Sequence, residues 1–262
     1  MINALRSAST GMDAQQLRID GIANDLANVN TPGYKKTRAV FEDLYYDQVK
    51  TPGALNDKDT QSPNGIQIGH GTRLTSIQKV FTDGTTQHTG NTLDLSIEGN
   101  GFFKVLDSTG QEFYTRSGSF QTDKDGNVVT MNGMTLQPSI VVPDNTQSIT
   151  IAKDGTISVI TSDSQSASDI GQIEMAMFQN PAGLQYMGQN LYKETDASGT
   201  AKTVIAGQDG SGSIAQGFLE NSNVDIGESL ITMIVAQRSY EANSKVIEAA
   251  DHMMQQANSL LG

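Results

Sequence analysis

The chain contains no cysteine and no tryptophan, and only 6% of its 262 residues are aromatic. Without cysteine it can form neither a disulfide nor a cysteine-ligated metal or redox centre. Hydrophobic residues amount to only 36%, which is little for the deep core of an enzyme. At this length a single core usually stops growing, so we expect two or more packed units.

Basic residues are also scarce, with 17 Lys and Arg against 29 Asp and Glu, for a net charge of -12. This charge argues against sequence-independent nucleic-acid binding, which needs cations to displace the counterions of phosphate. Lys35, Lys36 and Arg38 are a local exception, and we interpret them as a solvated face. No apolar run approaches the roughly 20 residues of a membrane span, so no membrane insertion is expected. The N-terminus lacks the basic segment followed by an apolar one that marks a secretory signal peptide, so we expect any export to use a route without a cleaved leader.

The residue combinations that carry catalysis or metal binding are missing from the sequence. His70, His88 and His252 lie in separate parts of the chain with no carboxylates at ligand spacing, and we predict that they are surface residues. Asp123–Asn127 resembles part of a calcium loop but lacks the later bidentate Glu, so a hairpin turn is the better interpretation. Gly99-Asn100-Gly101 lacks the third glycine of a dinucleotide fingerprint. We therefore predict no enzyme activity, no cofactor and no metal.

Both ends of the chain have the apolar spacing of long amphipathic helices. Residues 2–29 alternate three- and four-residue steps and end at Asn30–Gly33, because Pro32 disfavours helix before it. Residues 225–261 have the same apolar spacing, with Asp225 or Asn223 as the candidate N-cap. An isolated helix with so few apolar residues along its packing face is only marginally stable in water. We therefore expect the two helices to pack on each other and on further copies. The expected subunit-packing residues are Ile2, Leu5, Met12, Ile19, Ile22, Leu26, Leu230, Met233, Ile234, Tyr240, Ile247, Met254 and Leu261.

The middle of the chain is predicted to be β-rich, with turn dipeptides at Asp83-Gly84, Asp125-Gly126, Asn132-Gly133 and Asp154-Gly155. Residues 148–152 and 156–160 alternate apolar and polar side chains around the last of these turns, which predicts a hairpin. The predicted fold class is α+β. Residues 1–30 and 225–262 form an axial helical domain, 31–70 an extended connecting segment, and 71–224 a β-rich domain.

Five stretches carry a family resemblance: Ala23–Lys36, Asp94–Val105, Tyr114–Phe120, Gln216–Asp225 and Ala236–Lys245. They resemble blocks of the bacterial flagellar axial proteins, the subunits of the rod and hook. Residues 51–73 resemble the insertion of family members that build the straight distal rod. The resemblance therefore implies a rod-stiffening role for Thr51, Pro52, Gly53, Pro63, Gly65, Ile68 and Gly69.

The resemblance implies a structural subunit of the distal rod that polymerises into a rigid helical tube and transmits torque from motor to hook. Implied partners are further copies of the chain, proximal rod proteins, hook protein, the P and L ring proteins and the type III export apparatus. The implied location is the basal body, spanning the periplasm. A hook-type or other rod subunit and a secreted binding module remain as alternatives. Gln16, Gln237 and Asn258 either set helix register or face the lumen.

Overall fold

The computed structural model describes residues 2–51, 55–57, 60–61, 64–162 and 164–259. The chain begins and ends with an α-helix, and a long series of β-strands lies between the two helices in the sequence. This order confirms the predicted α+β fold class.

Helix α1 spans Ile2–Ala27 and helix α2 spans Ile226–Ser259. α1 ends two residues before the predicted limit, in a turn where the Thr31 N–H donates to the Asn28 carbonyl at 3.1 Å. Of the two candidate N-caps, Asp225 caps α2, because its Oδ1 accepts the Glu228 N–H at 3.0 Å. At 1.5 Å per residue, α2 is about 50 Å long.

The chain folds into two compact units. Unit 1 consists of Met1–Leu26, Thr37–Gln78 and Asp225–Gly262, and unit 2 of Ala27–Lys36 and Lys79–Val224. The chain therefore passes between the units four times.

The strands that follow α1 pair as a nested two-stranded ribbon. β1 pairs with β6, β2 with β5 and β3 with β4. The ribbon is attached to α1 at two levels: Thr72 N–H donates to Thr10 Oγ1 at 3.3 Å, and Thr37 N–H donates to the Asp25 carboxylate at 3.0 Å. The strands are β1 Thr37–Asp43, β2 Tyr46–Lys50, β3 Leu55–Asp57, β4 Thr60–Gln61, β5 Ile66–Gly69 and β6 Thr72–Lys79.

Unit 2 is built on a sheet in the order β11-β12-β13-β9-β10-β19-β18, with β17 pairing β9 and β20. Beside it lie the three-stranded sheet β14-β15-β16 and the pairs β21-β8 and β22-β7. A 3-10 turn occupies Pro181–Gly183. The strands are β7 Thr86–His88, β8 Leu95–Glu98, β9 Phe102–Leu106, β10 Glu112–Thr115, β11 Phe120–Thr122, β12 Val128–Thr130, β13 Thr135–Gln137, β14 Thr146–Ile151, β15 Thr156–Thr161, β16 Ser164–Gln172, β17 Glu174–Met177, β18 Gln185–Gly188, β19 Leu191–Lys193, β20 Lys202–Ile205, β21 Ser213–Gln216 and β22 Phe218–Glu220.

Three of the four predicted turns join neighbouring strands. The hairpins β11-β12, β12-β13 and β14-β15 turn at Asp125-Gly126, Asn132-Gly133 and Asp154-Gly155, which confirms those predictions. Asp83-Gly84 is different, because it lies in an irregular segment before β7. Its polar groups are used over long range: Asp83 accepts from Arg116, and the Gly84 N–H donates to Glu220 Oε1 at 3.0 Å.

The core of unit 2 lies on both faces of β9. Side chains of successive strand residues point to opposite faces. Phe103 belongs to a large cluster with Leu136 and Met175, whereas Phe102 belongs to an aromatic cluster with Phe178 and Tyr192. Burial of this second cluster raises the pKa of the Tyr192 hydroxyl, because the phenolate would lose its hydration.

Candidate subunit-packing surface

Within unit 1, α2 is buried at small residues and comes close to α1 at a glycine. Ala236 and Ala250 are the buried residues of α2, at 0% and 2% exposure. A Cβ placed on Gly11 of α1 would lie 2.8 Å from Asn243 Nδ2. Positions 236, 243 and 250 are spaced by sevens and therefore share one face of α2.

A second face of α2 carries large apolar side chains that the chain does not cover. Ile231 is 65% exposed, Val235 52%, Val246 46% and Met253 50%. An amphipathic helix normally places such residues in a core. Contiguous exposed apolar surface is typical of a site that binds another protein. The sequence-based prediction missed this stripe because it followed a single seam of three- and four-residue steps and left these four residues unassigned. The nearly continuous apolar run from 230 to 235 was the available signal.

Of the subunit-packing residues predicted on α1, Ile2 is the first residue of the helix and the other five are half-buried. On α2, Met233 and Ile247 are half-buried. The remaining predicted positions of that helix are exposed, whereas Leu261 lies outside the described residues. The half-buried set on α1 is Leu5, Met12, Ile19, Ile22 and Leu26, and the exposed set on α2 is Leu230, Ile234, Tyr240 and Met254.

The ribbon also exposes apolar side chains. Tyr45 and Val49 are 64% and 65% exposed, and Ile66 is 54% exposed. A two-stranded ribbon is at best marginally stable in water without an apolar partner. Of the predicted stiffening residues, Thr51 and Ile68 are exposed and Gly65 and Gly69 half-buried, whereas Pro52, Gly53 and Pro63 lie outside the described residues.

The prediction that all three histidines are surface residues was wrong for His70. Its ring is only 3% exposed, and it lies edge-on to Tyr45 with ring centroids 4.5 Å apart. Its Nε2 is 3.1 Å from Asp47 Oδ2. His88 and His252 are exposed. In the described part of the chain no three His, Asp or Glu side chains are grouped as metal ligands.

Lys35 contradicts the prediction of a solvated basic face. It is completely buried, and its Nζ lies 2.5 Å from Glu220 Oε1 and donates to the Thr82 carbonyl at 2.7 Å. Burial lowers the pKa of the Lys35 ammonium, and the attraction of Glu220 opposes that shift. Arg116, 2% exposed, donates to the Gly99 carbonyl at 2.7 Å and to Asp83 at 3.2 Å.

The turn after α1 is fitted closely against this charged cluster. Gly33 has a φ of 72°, which favours glycine, and a Cβ there would lie 2.7 Å from the Ser117 nitrogen. Its N–H donates to the Glu220 carbonyl at 2.8 Å. Parts of three sequence blocks, around residues 33, 117 and 220, therefore meet in unit 2. The sequence could not predict that these blocks meet, because Lys35 and Glu220 are 185 residues apart.

None of the described helices is long and apolar enough to cross a membrane. The fold and its packing surfaces can be compared with known proteins. The family "Flagella basal body rod protein" matches residues 5–35, and "Flagellar hook protein FlgE/F/G D1 domain" matches residues 96–159. "Flagellar basal body rod FlgEFG protein C-terminal" matches residues 215–260. The matched regions are α1 with its turn, the first half of unit 2, and the entry to α2 with the helix itself.

Similarity to individual proteins extends over the full chain. The flagellar basal-body rod protein FlgG of Borreliella burgdorferi is 46% identical over 99% of both chains. FlgG of Caulobacter vibrioides is 41% identical, also over 99% of both chains. FlgG of Bacillus subtilis is 38% identical over 99% of both chains. The chain therefore belongs to the FlgG family of flagellar basal-body rod proteins.

Proposed function

We propose that this chain polymerises through its terminal helices into the rigid helical tube of the distal rod, which transmits torque from motor to hook. The observation that carries the proposal is the exposed apolar face of α2, with Ile231 and Val235 at 65% and 52% exposure. The helix is ordered within the single chain, yet the face remains uncovered. A second copy of the same chain offers a surface of the same apolar character.

Many weak contacts suit a shaft better than a few strong ones. An apolar face along a helix of about 50 Å distributes dispersion contacts over many residues. Head-to-tail contacts that do not close into a ring produce a helical filament. A tube held in this way resists torque because no single interaction carries the load.

The parts of the chain have separate roles in this proposal. Residues 1–30 and 225–262 form the axial domain of the tube, 71–224 its β-rich domain, and 31–70 the connecting segment that stiffens the rod. The ribbon supports the stiffening role, because its exposed side chains, such as Ile68, offer a further apolar surface to a neighbouring copy.

The partners in the basal body follow from the same proposal. The tube continues from the proximal rod proteins, ends at the hook protein and passes through the P and L rings across the periplasm. The type III export apparatus delivers the subunit. The chain belongs to a family of structural proteins, and we propose no catalytic role.

The proposal is tested by placing a charge on the exposed face of α2. Val235→Glu should leave the subunit folded, because this side chain is 52% exposed in the single chain. In the tube it would place a carboxylate without a partner in an apolar contact, which costs several kcal/mol. We expect purified basal bodies to lack the distal rod by electron microscopy, and the cells to be non-motile.

Val235→Leu is the matched control, because it keeps the position apolar. It should give rods and swimming close to those of the wild type. If Val235→Glu subunits enter normal rods, packing through this face is wrong.

A further inference from the structure

Three of the four chain passages between the units leave unit 2 beside one another. The passages follow Lys36, precede Lys79 and follow Val224. Backbone groups at two of them are joined directly, because the Val80 N–H donates to the Lys36 carbonyl at 2.9 Å. We call Lys36, Val80, Thr82 and Asn223 the exit cluster.

The Asn223 side chain connects the third passage to the other two. Its Oδ1 accepts the Lys36 N–H at 2.7 Å. Its Nδ2 donates to the Val80 carbonyl at 2.8 Å and lies 2.9 Å from Thr82 Oγ1. One amide therefore offers its acceptor to one passage and its donors to another. A primary amide carries both functions on one planar group, and Gln, the other residue with this group, is longer by one methylene.

The side chains of Lys79 and Lys35 add contacts next to the exit cluster. Lys79 Nζ donates to the Lys35 carbonyl at 2.7 Å and lies 3.8 Å from the centre of the Tyr34 ring. Lys35 Nζ in turn lies 2.5 Å from Glu220. Each passage is therefore held by at least two noncovalent contacts in addition to the chain itself.

We propose that Asn223 is a positioning residue that ties these three passages into one joint, so that load reaches unit 2 through all of them together. This inference rests on the proposed function, because only a load-bearing subunit needs such a joint. A single covalent passage rotates about its backbone bonds and transmits little torque. Three passages hydrogen-bonded at a common point cannot rotate independently.

Hydrogen exchange tests the joint in the isolated subunit. In Asn223→Ala the Lys36 amide loses its acceptor and should exchange about fivefold faster or more, the factor expected for one ordinary hydrogen bond. Amides of β9 should keep their wild-type rates, because the core of unit 2 is intact. Asn223→Asp keeps the acceptor, so it should protect the Lys36 amide while losing the bond to Val80.

Asn221→Ala is the matched control, since among the described residues the Asn221 side chain makes a single exposed hydrogen bond, to Thr85 Oγ1 at 3.4 Å. Its Lys36 amide should exchange at the wild-type rate. Unchanged exchange of the Lys36 amide in Asn223→Ala would overturn the proposal, as would an equal increase throughout β9.

Swimming in media of rising viscosity tests the mechanical role. Cells with Asn223→Ala should swim in dilute buffer but stop at a lower viscosity than cells with Asn221→Ala. Equal swimming of the two at every viscosity would overturn the proposal. If Asn223→Ala forms no rods, the same viscosity comparison is made between Asn223→Asp and Asn221→Ala. Absence of the wild-type chain from purified distal rods would instead overturn the proposed function, and the two failures are thereby distinguished.

Discussion

At the scale of single residues, the unusual feature is a buried ionic cluster in unit 2. Lys35, Glu220 and Arg116 are each at most 2% exposed. Removing charges from water costs several kcal/mol per ion, so such a cluster adds little net stability over apolar packing. Its geometry is specific, however, because each charge has partners at fixed positions. We infer that the cluster selects one arrangement of the turn after α1.

Breaking this cluster should be costly. Lys35→Met leaves Glu220 buried beside the Gly84 N–H, with Arg116 NH1 3.8 Å from its Oε2. We expect a loss of about 3 kcal/mol in the free energy of unfolding, measured by urea titration. Lys202→Met is the control, because the Lys202–Asp209 pair is exposed and worth at most about 1 kcal/mol. Equal losses of unfolding free energy in the two variants would show that the buried pair contributes no more to stability than the exposed pair.

At the scale of elements, the sequence predicted the helices and hairpins that interactions between near neighbours in the chain determine. Both helices and three hairpins follow from apolar spacing and from turn dipeptides such as Asp154-Gly155. The pairing of β2 with β5 could not be predicted, because their exposed side chains show no alternation of burial. The burial of Lys35 was missed because its partner lies at the far end of the chain.

The small-residue face of α2 makes a prediction at the same scale. Ala236 has no exposed surface, so Ala236→Leu adds three carbons where there is no room. Overpacking of this kind costs about 1–3 kcal/mol. Ala242→Leu, at an exposed position of the same helix, should change stability by less than about 0.5 kcal/mol. Urea unfolding of the monomer followed by helical circular dichroism compares them, and similar midpoints would contradict close packing at Ala236.

At the scale of the whole molecule, α2 and the ribbon leave apolar surface exposed, whereas unit 2 encloses its own core. Ile231 and Val49 are each 65% exposed, yet Phe103 and Leu136 have no exposed surface. Exposed apolar surface of this kind is typical of a protein interaction site, and in the proposed tube further copies of the chain cover it. Unit 2 therefore needs no neighbour for its core, and we assign assembly to the helices and the ribbon.

The ribbon gives the prediction that separates stiffness from assembly. Lys50 and Ile66 are cross-strand partners, so Asn-Gly in place of residues 51–65 should close a short hairpin and keep β2 paired with β5. The terminal helices are untouched, so we expect the subunit to assemble. The rod should bend, because the segment proposed to hold neighbouring copies in line is missing. Electron microscopy of basal bodies measures the curvature. Replacing only Lys58-Asp59 with Asn-Gly keeps the length and should leave rods straight, whereas straight rods from the shortened ribbon would refute the stiffening role.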